Sequence, residues 1–373
     1  MSVPSAVQVV SATALATSRE LIAGPREMVL PQVCVTNTIA AFNPGFARHM
    51  ERDIYAARPV SFSALELLHL PAGVTVHPSL DFVALLGDVF IAEQFLGNPA
   101  TPQPHQVQAL TADTAVEDVA GPCLLVGRFG YWTWGHWLGE LLLRVVAAEA
   151  IAPGKFRFAV PAVTTNPDWD APLPRNILGS LAAYGIGLDR LVRLDYGRRY
   201  RFADLSIVSN PWVYPYALHP AAHSLLRHSL RQRVPRFNAP KAAMLRLDGT
   251  KRGILNQEEV ANLLRSKGFS LVNVGALPFI EQVAAFQQAE SVFGILGSNL
   301  TGLLYSPFGA QVVTAAPGDW GDCFFHGLVQ CLDGRFADLR GTPAQQDPGS
   351  KIFSNFTLQL ATLAAGLEAV EAG

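Results

Sequence analysis

Beyond about residue 240, the chain alternates short apolar runs with stretches whose apolar residues recur every three or four positions. Segments 243–247, 270–274, 292–296, 311–314 and 336–339 read as strands. Segments 256–267, 279–290 and 320–331 read as helices between them, and 357–372 as a final helix. Asn256 is the expected N-cap of its helix, with Glu259 as capping partner and Gly268 as the stop. This alternation predicts a parallel, doubly wound sheet, whose ligands bind outside the carboxyl ends of the strands.

The first half is less regular. Residues 1–60 show a mixed pattern. Residues 65–93 alternate apolar stretches with turn signals at Pro71-Ala72-Gly73 and Gly87-Asp88, which predicts short strands and hairpins. Residues 97–122 are rich in Pro, Thr and Gln and read as a surface loop. A strand at 123–126, stopped at Gly127, then leads to a helix over 134–150 that Pro153-Gly154 ends. Strands at 156–160, 191–194 and 205–208, a helix at 176–184 and a helix at 220–233 make this half α/β as well. The stretch 235–240, bounded by prolines, is the expected domain linker.

With 373 residues, two domains are expected. Half of the residues are hydrophobic and 16% are charged, which excludes a disordered chain and leaves apolar surface for a partner or a membrane face. A net charge of −2 gives nucleic-acid binding no global support. Cys34, Cys123, Cys323 and Cys331 form no CxxC pair, so a zinc or redox motif is not expected and a reducing compartment is. The N-terminal stretch lacks the charge pattern of a signal peptide, and no apolar run is long enough to span a membrane. One of two N-x-T sequons, Asn299-Leu300-Thr301, lies in a glycine turn where a glycan would be disruptive, so a cytoplasmic protein is expected. The Arg-rich pieces around 198–201 and 227–233 read first as solvated faces. Contact with anionic lipid, and hence peripheral membrane association, is the alternative.

Three stretches could carry chemistry. The first is Gly297-Ser298-Asn299, between an apolar strand and a helix start, where free backbone N–H groups suit a phosphate. An ordinary turn in an α/β core would read the same. The second is the loop 246–252, where Arg246, Lys251 and Arg252 offer guanidinium and ammonium groups to a diphosphate, or to surface salt bridges. The third is His136 and Glu140, one helical turn apart, which could together remove a proton from a sugar hydroxyl. Tyr131, Trp132, Trp134 and Trp137 beside them could stack on sugar faces; a core helix is the competing reading. Asp168-Trp169-Asp170 sits in a proline-rich loop and reads as a turn, and His219 with His223 reads as structural. No dinucleotide or ATP fingerprint is present.

Two blocks resemble glycosyltransferase family 61, which holds bacterial capsular-polysaccharide-type enzymes and eukaryotic xylosyl- and N-acetylglucosaminyltransferases. One is 244–317, with Arg246, Arg252 and Asn256, Glu281-Gln282, Phe286, Ala289, Gly297 and Val312-Val313. The other is the helix with His136, Trp137, Glu140 and Arg144. The likeness spans about 127–341. It implies a GT-B fold of two Rossmann-like domains facing a cleft. An acceptor-side domain would cover 1–234, with a β-rich lead-in over 1–122. A nucleotide-sugar domain would cover 241–345, and a closing helix 350–373. It also implies an inverting transfer from a nucleotide-sugar donor to a glycan or glycolipid acceptor, with no metal and no cofactor.

On this basis Glu140, tuned by His136 and with a pKa raised by burial, is the expected base. Arg246, Arg252, Asn256, Gly297, Ser298, Asn299 and Thr301 are the expected donor-binding residues. Trp134, Trp137 and Arg144 are the expected acceptor-binding residues. The sequence departs from the family pattern in two regions. Leu296-Gly297-Ser298 replaces His-Gly-Ala, with Gly302 where an Asn is usual, and Thr314-Ala315 stands where an acid is common. Leu-Gly-Ser variants look like a bacterial branch. A catalytically silent scaffold or carbohydrate-binding subunit is the alternative.

Overall fold

The computed structural model describes residues 8–92, 104–111, 114–128, 130–168, 171–213, 216–230, 233–245, 252–318, 320, 322–344 and 354–372. The chain forms two compact units, each gathered from separate stretches. The first comprises Met1–Arg26, Ser63–Pro211 and Ser224–Leu230; the second comprises Glu27–Phe62, Trp212–His223 and Arg231–Gly373.

The first unit is built on a mixed sheet. Its four parallel strands are β1 (Val116–Leu125), β2 (Arg157–Pro161), β3 (Leu191–Leu194) and β4 (Arg199–Val208), side by side in the order β4-β1-β2-β3. Antiparallel strands Leu65–His69 and Val74–His77 join β4, and Val83–Leu86 with Val89–Ile91 form the expected hairpin. The core gathers Leu68, Val76, Leu125, Ala159, Phe202 and Leu205.

The loop expected over 97–122 is corrected here, because β1 already begins at Val116. Its polar residues look like a loop in isolation. In the sheet they find partners along β4: Asp118 meets its register partner Arg201, and Glu117 meets Arg198 just before the strand begins, each at 2.6 Å. The register shifts between Val119 and Pro122, beside Gly121 at φ +73°, as in a β-bulge. Helix α1 (Leu142–Ile151) follows β1, and α2 (Pro172–Ala183) follows β2. The second helix starts four residues earlier than its apolar pattern suggests. Its prolines occupy the first turn, where a missing N–H leaves no helix bond unmade.

The second unit carries β5 (Lys241–Met244), β6 (Ser270–Val272), β7 (Ser291–Ile295), β8 (Gln311–Pro317) and β9 (Arg335–Pro343), all parallel, in the order β6-β5-β7-β8-β9. This is the doubly wound pattern expected from the sequence, with its reversal of strand order between β5 and β7. Helices α3 (Gln257–Ser266), α4 (Phe279–Gln288), α5 (Phe324–Cys331) and α6 (Leu360–Glu371) accompany it. Val260 and Leu264 of α3 join Leu363 and Leu367 of α6 in one core with Phe293, Val313 and Leu339.

Thr314, Asp338 and Arg340 lie among polar groups instead. Asp338 is fully buried and is held by Arg340 Nη2 (2.9 Å), Tyr55 Oη–H (2.7 Å) and Thr314 Oγ1–H (3.2 Å). Burial outweighs these partners and raises its pKa.

Asn256 does not cap α3 through its side chain. Its amide instead pairs both ways with the backbone of Leu358, donating to the carbonyl at 2.9 Å and accepting from the N–H at 3.0 Å. Glu259 meets Asn256 only through the side-chain amide, which donates to Oε2 at 3.2 Å, and not through the backbone N–H that a capping box uses. Gly253 N–H donates to Asn355 Oδ1 and Leu255 N–H to the Phe356 carbonyl, each at 2.8 Å. The final helix therefore starts at Leu360, because 354–358 is used as a strand-like brace for 253–256.

Candidate active site

In the first unit, the chain leaves β1 through Gly127 and Arg128 and enters a helix at Trp134. That helix is interrupted, since Trp137–Leu141 forms a π-helical turn before α1 resumes at Leu142. Such bulges shift the side-chain phase and recur at functional sites. Glu140 lies within it. His136 Nδ1 is 2.7 Å from Glu140 Oε1, and Arg128 Nη1 is 3.0 Å from Glu140 Oε2. Gly130 has φ +87°, and a Cβ there would lie 2.7 Å from His136 Cδ2. The imidazole thus rests against a backbone position that only glycine fits.

The pKa expected for Glu140 is corrected. Burial pushes it up, but the His136 hydrogen bond and the charges of Arg128, His136 and Arg144 outweigh burial, and the carboxyl lies below its ordinary value. Glu140 is therefore an ionised acceptor at neutral pH. An ionised carboxylate can only accept, so the His136 nitrogen that faces it, Nδ1, is one that carries a proton. Arg128 was not singled out from the sequence, although its place directly after a strand end was a usable signal.

The expected acceptor residues separate. Trp134 is half-buried at the helix start. Trp137 is fully buried and donates Nε1–H to Ser180 Oγ at 2.8 Å, so it is core rather than a stacking surface. Arg144 is also buried, with Nη1 near the Leu125 carbonyl, and acts on Glu140 through its charge. The exposed ring is that of Trp132, which meets Tyr131 edge-on at 4.9 Å between centroids. Asp168 N–H donates to Asn166 Oδ1, as expected of a turn; Trp169 and Asp170 lie outside the described residues.

In the second unit, the carboxyl ends of β5 and β7 flank the point where strand order reverses, which is where sheets of this order bind ligands. Arg252 follows β5 and Gly297 follows β7. Gly297 has φ +150°, and a Cβ there would lie 2.9 Å from Arg252 Nη2. The structure thus brings together two residues 45 positions apart that the sequence assigned to one diphosphate site. Arg246 and Lys251 lie outside the described residues. The segment Ser298–Tyr305 is a 3-10 helix whose first bond is from Leu300 N–H to the Gly297 carbonyl. The N–H groups of Ser298 and Asn299 precede that bond. Both side chains are half-buried, whereas Thr301 is buried. Asn256 is engaged with Leu358, as described above. Trp320, expected as the start of a helix over 320–331, precedes that helix, which begins at Phe324, and places its ring 4.8 Å from the Arg252 guanidinium carbon.

A family model, Glycosyltransferase 61, matches residues 134–313, a span that contains His136, Glu140, Arg252 and Gly297. The matched segment, just under half of the chain, supports glycosyltransferase family 61. The chain is a glycosyltransferase, and as such it acts on a sugar donor and an acceptor. No curated protein matches the chain. The acid that this glycosyltransferase lacks at Thr314 has a counterpart one strand away, since Thr314 is the register partner of Asp338 on β9 and hydrogen-bonds to it. Among the described residues, no group of three or more His, Cys, Asp and Glu is arranged to hold a metal ion. No helix among them is long and apolar enough to cross a membrane.

Proposed function

We propose that this glycosyltransferase moves a sugar from a nucleotide-sugar donor to a hydroxyl of a glycan or lipid-linked glycan. The transfer inverts the anomeric carbon and needs no metal. The setting is cytoplasmic synthesis of a bacterial surface polysaccharide, with the enzyme working peripherally at the inner face of the plasma membrane. The plan is that of a GT-B enzyme, with acceptor chemistry assigned to the first unit and donor binding to the second.

His136 is the base, and Glu140 fixes its tautomer and stabilises the imidazolium that forms. The acceptor O–H proton passes to His136 Nε2 while the oxygen attacks the anomeric carbon. The bond from that carbon to the diphosphate oxygen breaks, and its electron pair leaves with the nucleoside diphosphate. Arg252 and the N–H groups after Gly297 take up the developing negative charge, a task that divalent cations perform elsewhere.

The observation that carries this reading is the His136–Glu140 pair at 2.7 Å, inside the segment that the family model matches. The test is donor hydrolysis across a panel of nucleotide sugars. Activity should appear with at least one donor and should fall by about 10² or more in His136→Gln. A variant as active as wild type would remove His136 from the mechanism.

A further inference from the structure

We infer that Trp320 is a positioning residue of the donor site, holding the Arg252 guanidinium in place for a diphosphate. The inference rests on the donor reading above and adds to it a residue outside the segment that the family model matches.

Arg252 is held from two sides. On one side is Gly297, at the end of β7, where a Cβ would come within 2.9 Å of Nη2. On the other is the Trp320 indole, 4.8 Å from the guanidinium carbon. That distance is within the range in which a cation is attracted to an aromatic face. Trp320 is itself set by a turn off the end of β8, its N–H donating to the Pro317 carbonyl at 3.1 Å. The clamp therefore joins three loops at the carboxyl edge of one parallel sheet.

The backbone is committed to this arrangement. Arg252 has φ +57°, a left-handed conformation rare outside glycine, asparagine and aspartate. The residues after it are tied to 354–358 through Gly253 and Leu255. A long flexible arginine would sample many rotamers in an open loop. Confined between a bare backbone and an indole face, it presents its fork with less freedom left to lose when a diphosphate binds.

Two measurements on the full chain test this. The first uses protein labelled with 15N at tryptophan. The Trp320 indole N–H resonance, assigned by its loss in Trp320→Phe, should shift in Arg252→Ala; an unmoved resonance overturns the clamp. The second is calorimetric titration with UDP, GDP, CDP and dTDP. Trp320→Ala should bind the preferred diphosphate about fivefold to tenfold more weakly, and Trp320→Phe should recover most of the loss. In the Arg252→Ala background, Trp320→Ala should cost almost nothing further, because the indole then has no guanidinium to hold. A Trp320→Ala variant that binds as tightly as a binding wild type, or that weakens binding equally with and without Arg252, overturns the positioning role alone. A wild type that ignores all four diphosphates overturns the donor reading itself, and this inference with it.

Discussion

Replacing Glu140 by Gln keeps the side chain's size and removes its charge. The carboxylate lies 2.7 Å from His136 Nδ1 and 3.0 Å from Arg128 Nη1, and both members of the arginine pair are largely buried. At that separation and an effective dielectric of about 20, the Arg128 attraction alone is about 5 kcal/mol before desolvation is subtracted. Breaking a buried pair from one side typically costs about 3–5 kcal/mol, because the other charge stays behind. Glu140→Gln should therefore be less stable by about 3 kcal/mol at neutral pH in urea denaturation.

Its pH dependence follows from the lowered pKa. The contribution of Glu140 is fully present above its ordinary value of 4.5 and drains away as pH falls through the lower folded value. The wild type and the variant should therefore converge in stability in acid. In turnover, His136 loses the partner that fixes its tautomer, and kcat should fall by about 10² to 10⁴. His136→Gln and the double variant should be no worse than about tenfold below Glu140→Gln, since the two residues act as a unit. A Glu140→Gln enzyme with near-wild-type turnover and unchanged stability would refute the reasoning on both counts.

Other outcomes follow from single contacts. Gly130→Ala places a methyl against His136 Cδ2 at a left-handed backbone position, and should lower kcat sharply while costing about 1–2 kcal/mol of stability. Trp137→Phe loses the bond to Ser180 and should cost about 1–3 kcal/mol in urea denaturation with no change in acceptor KM, since the ring is core. Asp338→Asn strips the buried Arg340 of its counter-charge and should cost about 3–5 kcal/mol, with Asp338→Asn/Arg340→Met recovering part of the loss.

The second unit was the more legible in sequence, because β5, β6 and β8 carry short apolar runs and the helices that follow them have a clear period. The glycine turn and the arginine loop could be assigned to one site because both follow the carboxyl ends of strands in a sheet that the alternation predicts to be parallel. Trp320 could not, since it enters from a different loop and only the folded sheet edge brings it to Arg252. The start of β1 was hidden by Glu117 and Asp118, whose arginine partners lie about 80 residues on. The sign of the Glu140 shift was missed for a similar reason: the helical spacing displayed His136, but Arg128 reaches the carboxylate from the loop that precedes the helix. Asn256 had a local capping pattern, and the backbone of Leu358 competed for the same amide and won.

The most direct test of the account follows donor turnover by proton NMR, with water or a glycan as acceptor, and reads the configuration of the first sugar product. The account predicts the inverted anomer, formed by wild type and lost in His136→Gln. A product of retained configuration, or one formed equally well without His136, would contradict it.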